Sequence, residues 1–195
     1  MGLADWYLVA VALLVGSFVG VVIDRLPEGE PFGGGRSRCG ECSTALTARD
    51  LVPLASWLTS RGRCRHCGAR IGWFYPIVEL AALAIAVLSL CVDRGFEAWV
   101  DALLGWWLLA LGWIDWRHGV LPDVLTLPLI VLGLAVAGDF EPERLWDPLL
   151  GVFFGYGVLW IVAWAYRRLR GREGLGLGDA KLFAAAGAWV GVTGL

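Results

Sequence analysis

Two groups of side chains in this sequence have types and spacings that can do chemistry. The first is Cys39-Gly-Glu-Cys42 followed by Cys64-Arg-His-Cys67, two Cys-x-x-Cys pairs separated by 21 residues. Each pair can present two thiolates to one edge of a tetrahedron, so Cys39, Cys42, Cys64 and Cys67 read as a four-thiolate zinc site. A redox dithiol is the competing reading, and a reducing cytosol disfavours the disulfide form. With four protein thiolates no coordination position is left for water, so the zinc is expected to be structural rather than catalytic. Gly40, Gly62 and Gly68 are expected to permit the tight turns. His66 reads as a solvated neighbour, and the lone Cys91 as a small apolar residue.

The second group is a set of acids where apolar runs meet polar loops. Asp115 ends Gly112-Trp-Ile-Asp115, Asp123 follows Pro122, and Asp179 ends Gly174-Leu-Gly176-Leu-Gly178-Asp179. Two carboxylates brought together share a proton. Their repulsion raises one pKa, so one acts as base and the other as acid on a water between them. The plain alternative for Asp123, and the preferred one, is a helix N-cap, and Asp179 has the same alternative. Asp115 at a helix C-terminus opposes the helix dipole, which favours a functional reading. Spacing alone leaves open whether Asp115 and Asp179 meet.

Both groups must be positioned by membrane helices. The chain has 195 residues, 58% hydrophobic and only 17% charged, where a soluble domain is nearer half apolar and a quarter charged. A net charge of −2 argues against nucleic acid as a partner. Uncharged or nearly uncharged runs at Trp6–Ile23, Ile71–Val92, Ala102–Ile114, Val124–Gly138 and Pro148–Tyr166 read as five spans. Leu182–Leu195 reads as a sixth that is cut short. The predicted fold is an all-α polytopic membrane protein, a helical bundle with a small cytoplasmic zinc-binding loop domain. Its predicted parts are a first helix at 1–23, the four-Cys domain at 24–74, and a bundle at 75–195 that carries the aspartates and an incomplete last helix.

Orientation follows from Lys and Arg. If the spans alternate, one side holds 14 of the 16 basic residues, including Arg36 and Arg167, Arg168, Arg170 and Arg172. That side is expected to be cytoplasmic, with the N-terminus outside and both Asp115 and Asp179 at the cytoplasmic face. The Gly-x-x-x-Gly spacings Gly16/Gly20, Gly151/Gly155 and Gly187/Gly191 read as internal helix packing rather than a dimer seam. Trp6, Trp99, Trp116, Trp146 and Trp164 fall near span ends and read as interfacial anchors.

Taken together these stretches resemble the type IV prepilin peptidases, the leader peptidases of pilus and type II secretion systems within the Gly-x-Gly-Asp membrane aspartic proteases. Five stretches carry the likeness in order: Gly16 to Pro27, the two Cys pairs, Tyr75-Pro-Ile-Val-Glu79-Leu80, Ile114-Asp115 through Pro128, and Gly176-Leu-Gly178-Asp179-Ala-Lys181. The resemblance implies that Asp115 and Asp179 are the catalytic pair of an aspartic endopeptidase of the bacterial inner membrane. It implies a prepilin or pseudopilin substrate with its apolar helix in the lipid bilayer, cut after a Gly at the cytoplasmic face. It further implies N-methylation of the new N-terminus from S-adenosylmethionine, associated with the cysteine-bearing domain, although no binding site for that donor can be placed from the sequence. Glu79 and Lys181 are worth testing as supporting residues. The first motif usually has Asn where this chain has Gly20. Members usually continue with further helices beyond the Gly-x-Gly-Asp helix, so the chain is expected to be C-terminally truncated. The alternatives are a non-catalytic zinc-ribbon assembly protein or inactive truncated homologue, and a transporter using the boundary acids for ions.

Overall fold

The computed structural model describes residues 2–30, 37–140, 142–172, 174 and 176–195. Arg36 of the basic loop and Leu175 of the glycine-rich run lie outside the described residues. Among the described residues seven α-helices follow in order: α1 (Leu3–Arg25), a short α2 (Ala55–Thr59), α3 (Phe74–Val92), α4 (Phe96–His118), α5 (Asp123–Phe140), α6 (Trp146–Arg170) and α7 (Leu177–Gly194). Among the described residues the only β-type pairing is two isolated bridges. Helices α1, α3, α4, α5 and α6 are long and apolar enough to cross a membrane, which makes the chain a multi-pass membrane protein.

The helices overrun the uncharged stretches of the sequence. Charged residues sit within their end turns, where a helix loses little by carrying them. Helix α6 runs on through Arg167, Arg168 and Arg170, whose charges complement the negative end of the helix dipole, and stops at Gly171 with φ 64°. Helix α4 stops at Gly119, also left-handed, whose N–H bonds the Asp115 carbonyl at 2.7 Å. Helix α7 begins before Asp179 and Lys181 rather than after them.

The chain divides into two compact units, residues 1–113 and 114–195. In the first unit α1 packs on α3. A Cβ at Gly16 would lie 2.8 Å from the Glu79 Cα and 2.9 Å from the Ala82 Cβ, and one at Gly20 would lie 2.9 Å from the Tyr75 ring. The Tyr75 ring thus occupies the space that any side chain at position 20 would need. Trp106 of α4 donates its indole N–H to the Ala82 carbonyl at 2.9 Å.

In the second unit α6 and α7 meet backbone to backbone. A Cβ at Gly151 would strike the Gly187 carbonyl, one at Gly187 would strike the Gly151 carbonyl, and one at Gly155 would lie 2.6 Å from the Phe183 carbonyl. All three Gly-x-x-x-Gly spacings are therefore spent on internal packing. Helix α5 completes this unit by laying Gly133 against Ala188 and Trp189, with the Trp189 indole donating to the Leu129 carbonyl at 3.0 Å. The tryptophans read as anchors are outward-facing at Trp6, Trp116, Trp146 and Trp164.

Candidate metal centre and candidate active site

The two Cys-x-x-Cys segments fold as near copies of one hairpin. In the first, Cys39 N–H bonds the Thr44 carbonyl at 3.0 Å, Ser43 N–H bonds the Cys39 carbonyl at 2.9 Å, and Arg38 bridges Ala45. In the second, Cys64 N–H bonds the Ala69 carbonyl at 2.8 Å, Gly68 N–H bonds the Cys64 carbonyl at 2.9 Å, and Arg63 bridges Arg70. The residue after the second cysteine turns left-handed in both, Gly68 at φ 73° and Ser43 at φ 55°. Gly40 lies within the first turn as expected, but the left-handed residue there is Ser43. Gly62 is left-handed in its own turn, and a Cβ there would lie 3.0 Å from the Trp57 ring.

The four sulfurs of Cys39, Cys42, Cys64 and Cys67 lie within 4.8 Å of one another. Sulfurs at the corners of a tetrahedron with Zn–S bonds of about 2.3 Å stand roughly 3.8 Å apart, and Cys39 and Cys67 are already at 3.9 Å. The soft thiolate set and its near-tetrahedral size fit zinc, which would tie the two hairpins together with no position left for water. The thiols are electrostatically unequal before metal arrives. The Thr44 hydroxyl, 3.3 Å from Cys42 Sγ, and the Thr44 backbone N–H bring Cys42 down to about 6. At Cys67 the Ala69 N–H acts downward, but burial and the neighbouring thiols outweigh it and push that thiol up to about 12. Nearby, Asp50 accepts from the Thr47 hydroxyl at 2.7 Å and its N–H at 3.0 Å and pairs with Arg65, which holds its carboxyl below the usual range. Cys91, by contrast, sits exposed on α3, away from the cluster.

The acids belong to the second unit. Asp115 lies in the last turn of α4 with an exposed side chain, and Asp179 is the third residue of α7, half-buried. The cap of α7 is Gly176, which has no side chain to give, so Asp179 is not the N-cap that the sequence suggested. The approach to Asp179 packs on the turn that follows Asp115: a Cβ at Gly178 would lie 3.0 Å from the Leu121 Cβ. Lys181 Nζ meets Asp123 Oδ1 at 2.5 Å, joining the start of α7 to the start of α5. Asp123 thereby acts as the partner of Lys181, an ion pair that neither residue's local sequence announces.

Glu79 of α3 and Asp5 of α1 are the buried carboxylates of the first unit among the described residues. Glu79, only 5% exposed, accepts the Leu54 N–H at 2.8 Å. Leu54 itself has a positive φ of 56°, a conformation costly for a branched residue, and the bond to Glu79 fixes it there.

Fold and sites together define a class: a multi-pass helical membrane protein with a four-thiolate hairpin pair in one unit and, in the other, acids at the ends and starts of its helices. Comparison with known proteins agrees on the family. Residues 10–92 match the family profile of the bacterial peptidase A24 N-terminal domain, and residues 102–195 match that of the type IV leader peptidase family. The chain belongs to this leader peptidase family. It is 40% identical to a protein of Aeromonas salmonicida named prepilin leader peptidase/N-methyltransferase, over 92% of this chain and 71% of the relative. A protein of the same name from Aeromonas hydrophila is 42% identical over the same shares, and one from Pseudomonas aeruginosa is 39% identical over 94% and 71%. No solved structure matches.

Proposed function

We propose that this chain cleaves the leaders of type IV prepilins or type II secretion pseudopilins after Gly, at the cytoplasmic face of the bacterial inner membrane, and then N-methylates the new N-terminus. Asp115 and Asp179 are the proposed catalytic pair. The observation that carries this reading is the packing of Gly178, beside Asp179, on Leu121, with Lys181 paired to Asp123, both in the short segment that follows Asp115. It ties the two acid-bearing stretches into one unit.

The chemistry then needs one shared proton. The ionised carboxylate takes a proton from water, whose oxygen attacks the carbonyl carbon of that Gly. The protonated carboxyl hydrogen-bonds that carbonyl, and a proton returns to the departing amine as the peptide bond breaks. A membrane boundary suits this step because the apolar helix of the substrate stays in lipid while the bond to be cut reaches water. The bilayer also restricts the substrate's orientation, which lowers the entropic cost of presenting it. The four-thiolate site, when loaded, supplies folding energy to the 37–71 loop and no reacting group. S-adenosylmethionine is the methyl donor implied by the second activity in the relatives' names.

The test is incubation of the membrane-inserted protein with a prepilin-like substrate, followed by mass measurement. Asp115→Asn or Asp179→Asn is expected to lower cleavage by about 10⁴-fold, since paired catalytic groups fail together. Insertion in the membrane should be unchanged. Full cleavage by either variant contradicts the assignment, and zinc binding without any cleavage by the wild type would favour a non-catalytic assembly protein.

A further inference from the structure

The four-Cys domain contains a run that its thiol chemistry does not explain. From Leu51 to Ser60 ten residues carry no charge, and seven of them are Leu, Val, Pro, Ala or Trp. A run of this length is too short to span a bilayer and belongs either to a buried core or to the membrane boundary. The core reading fails. No residue of α2 is buried, Leu51 and Val52 are 42% and 47% exposed, and Leu58 is 66% exposed. Trp73, just before α3, is 64% exposed. We infer that residues 51–60 lie in the boundary layer of the bilayer beside the start of α3, with Val52, Leu58 and Trp73 against lipid, and so hold the four-Cys domain on the membrane. The inference rests on the spans alone and is independent of whether the chain cleaves a leader.

The depth of the segment follows from its contacts. Helices α1 and α3 are consecutive spans, so Arg25 and Phe74 mark the same membrane face. Glu79 lies five residues past Phe74, about 7.5 Å along α3. It accepts the Leu54 N–H at 2.8 Å and a bond from the Ser17 side chain. Ser17 lies eight residues before Arg25, about 12 Å from that end of α1. Leu54 therefore sits below the level of both helix ends, where the surroundings of the two spans are apolar.

The exposed side chains continue the outer face of α3. Trp73, Ile77, Leu80, Val87 and Leu88 are exposed at helical spacing and form one stripe along the span. The Trp57 ring stands 4.2 Å from the Trp73 ring, centre to centre, and its indole N–H donates to the Ile71 carbonyl at 3.2 Å. The segment is thus fastened to the head of a stripe that faces lipid. The first unit also encloses a cavity of about 910 Å³, but Val52, Leu58 and Trp73 do not line it, so their exposure is outward.

Backbone at membrane depth must find partners other than water. Pro53 has no N–H, and the Leu54 N–H goes to Glu79. The N–H groups of Ser56, Leu58 and Ser60 go to the carbonyls of Val52, Leu54 and Ser56 at 3.0, 2.9 and 3.0 Å. Thr59 and Ser60 turn their hydroxyls back onto the Ala55 and Trp57 carbonyls at 2.8 and 3.2 Å. Arg49, Arg61, Arg63 and Arg65 flank the run, and long cationic side chains beside an apolar segment suit a layer of lipid phosphates.

The test uses the full zinc-loaded chain, one per lipid nanodisc, with a phospholipid that carries a photoactivatable diazirine at the headgroup end of its acyl chain. Peptide mass mapping should find lipid adducts within residues 51–60 as well as on α3. Val52→Asp combined with Leu58→Asp should cut the 51–60 adducts by about tenfold or more, since a carboxylate resists the apolar layer. The α3 adducts and the zinc content should stay unchanged, which shows the domain still folded. Absence of adducts from 51–60 in the wild type, or undiminished adducts there in the double variant, would overturn the inference. Loss of those adducts on adding a prepilin-like substrate would overturn it too, because the occupant would then be the substrate's apolar helix and not lipid.

Discussion

The two units join their helices by opposite means. In the first, glycines of α1 face side chains and the α3 backbone, so packing is close at Gly16 and Gly20 and opens toward Asp24 into a polar cavity. In the second, glycines of α6 and α7 face each other's carbonyls along the line from Gly155 to Gly187, leaving no room between the helices. The first arrangement leaves a cavity that the Cys39 and Cys64 hairpins help to line. The second cannot accept a ligand between α6 and α7. It gives instead a stiff platform on which a carboxylate can be held at a helix start. The two acids proposed for bond cleavage both belong to the second unit, and the thiol cluster to the first.

Removing the metal should disturb the comparison most. Structural zinc contributes on the order of 10 kcal/mol to such hairpins. Chelation, or Cys39→Ser with Cys42→Ser, should therefore open residues 37–71 to limited proteolysis while α6 and α7 stay protected. Equal loss of protection in both units would break the division. Gly187→Val strikes the other unit, where no side chain can yield. It should destabilise the α6–α7 pair by about 1–3 kcal/mol or more, measured as a fall in thermal midpoint.

Smaller effects sharpen the picture within each unit. Lys181→Met removes the pair with Asp123, one partner of which is over half exposed, so its stability cost should stay below about 1 kcal/mol. A fall in cleavage much larger than that would make Lys181 a positioning group for Asp179. Ser43→Gly relieves a left-handed residue in the first hairpin and should stabilise it by about 0.5 kcal/mol, whereas Gly68→Ala in the matching place of the second should cost about 1 kcal/mol.

What could be read beforehand follows a physical rule. Spans, thiol pairs and glycine spacings are local patterns, and each is visible in a few consecutive residues. The five apolar helices, the four convergent sulfurs and the internal use of Gly151 and Gly187 were legible for that reason. The helix ends were not, because Arg170 and Asp179 continue helices that an uncharged-run criterion stops. The pairing of Lys181 with Asp123 joins residues 58 apart, and the bond from Leu54 to Glu79 joins residues 25 apart. The cavity draws on α1, the hairpins, α2 and α3 together, so no single stretch of sequence contains it. Only the buried acid in Tyr75-Pro-Ile-Val-Glu79 hinted at it, since a carboxylate within an apolar run needs a partner.

The division of labour is tested most directly by one side-by-side mass measurement. Wild type, Asp115→Asn and Asp179→Asn are each given a prepilin-like substrate, a pre-cut substrate and the methyl donor. The account predicts that Asp179→Asn leaves the leader uncut yet methylates the pre-cut substrate. It predicts the same of Asp115→Asn. Loss of both activities in either variant, in protein shown to be folded and membrane-inserted, would contradict it.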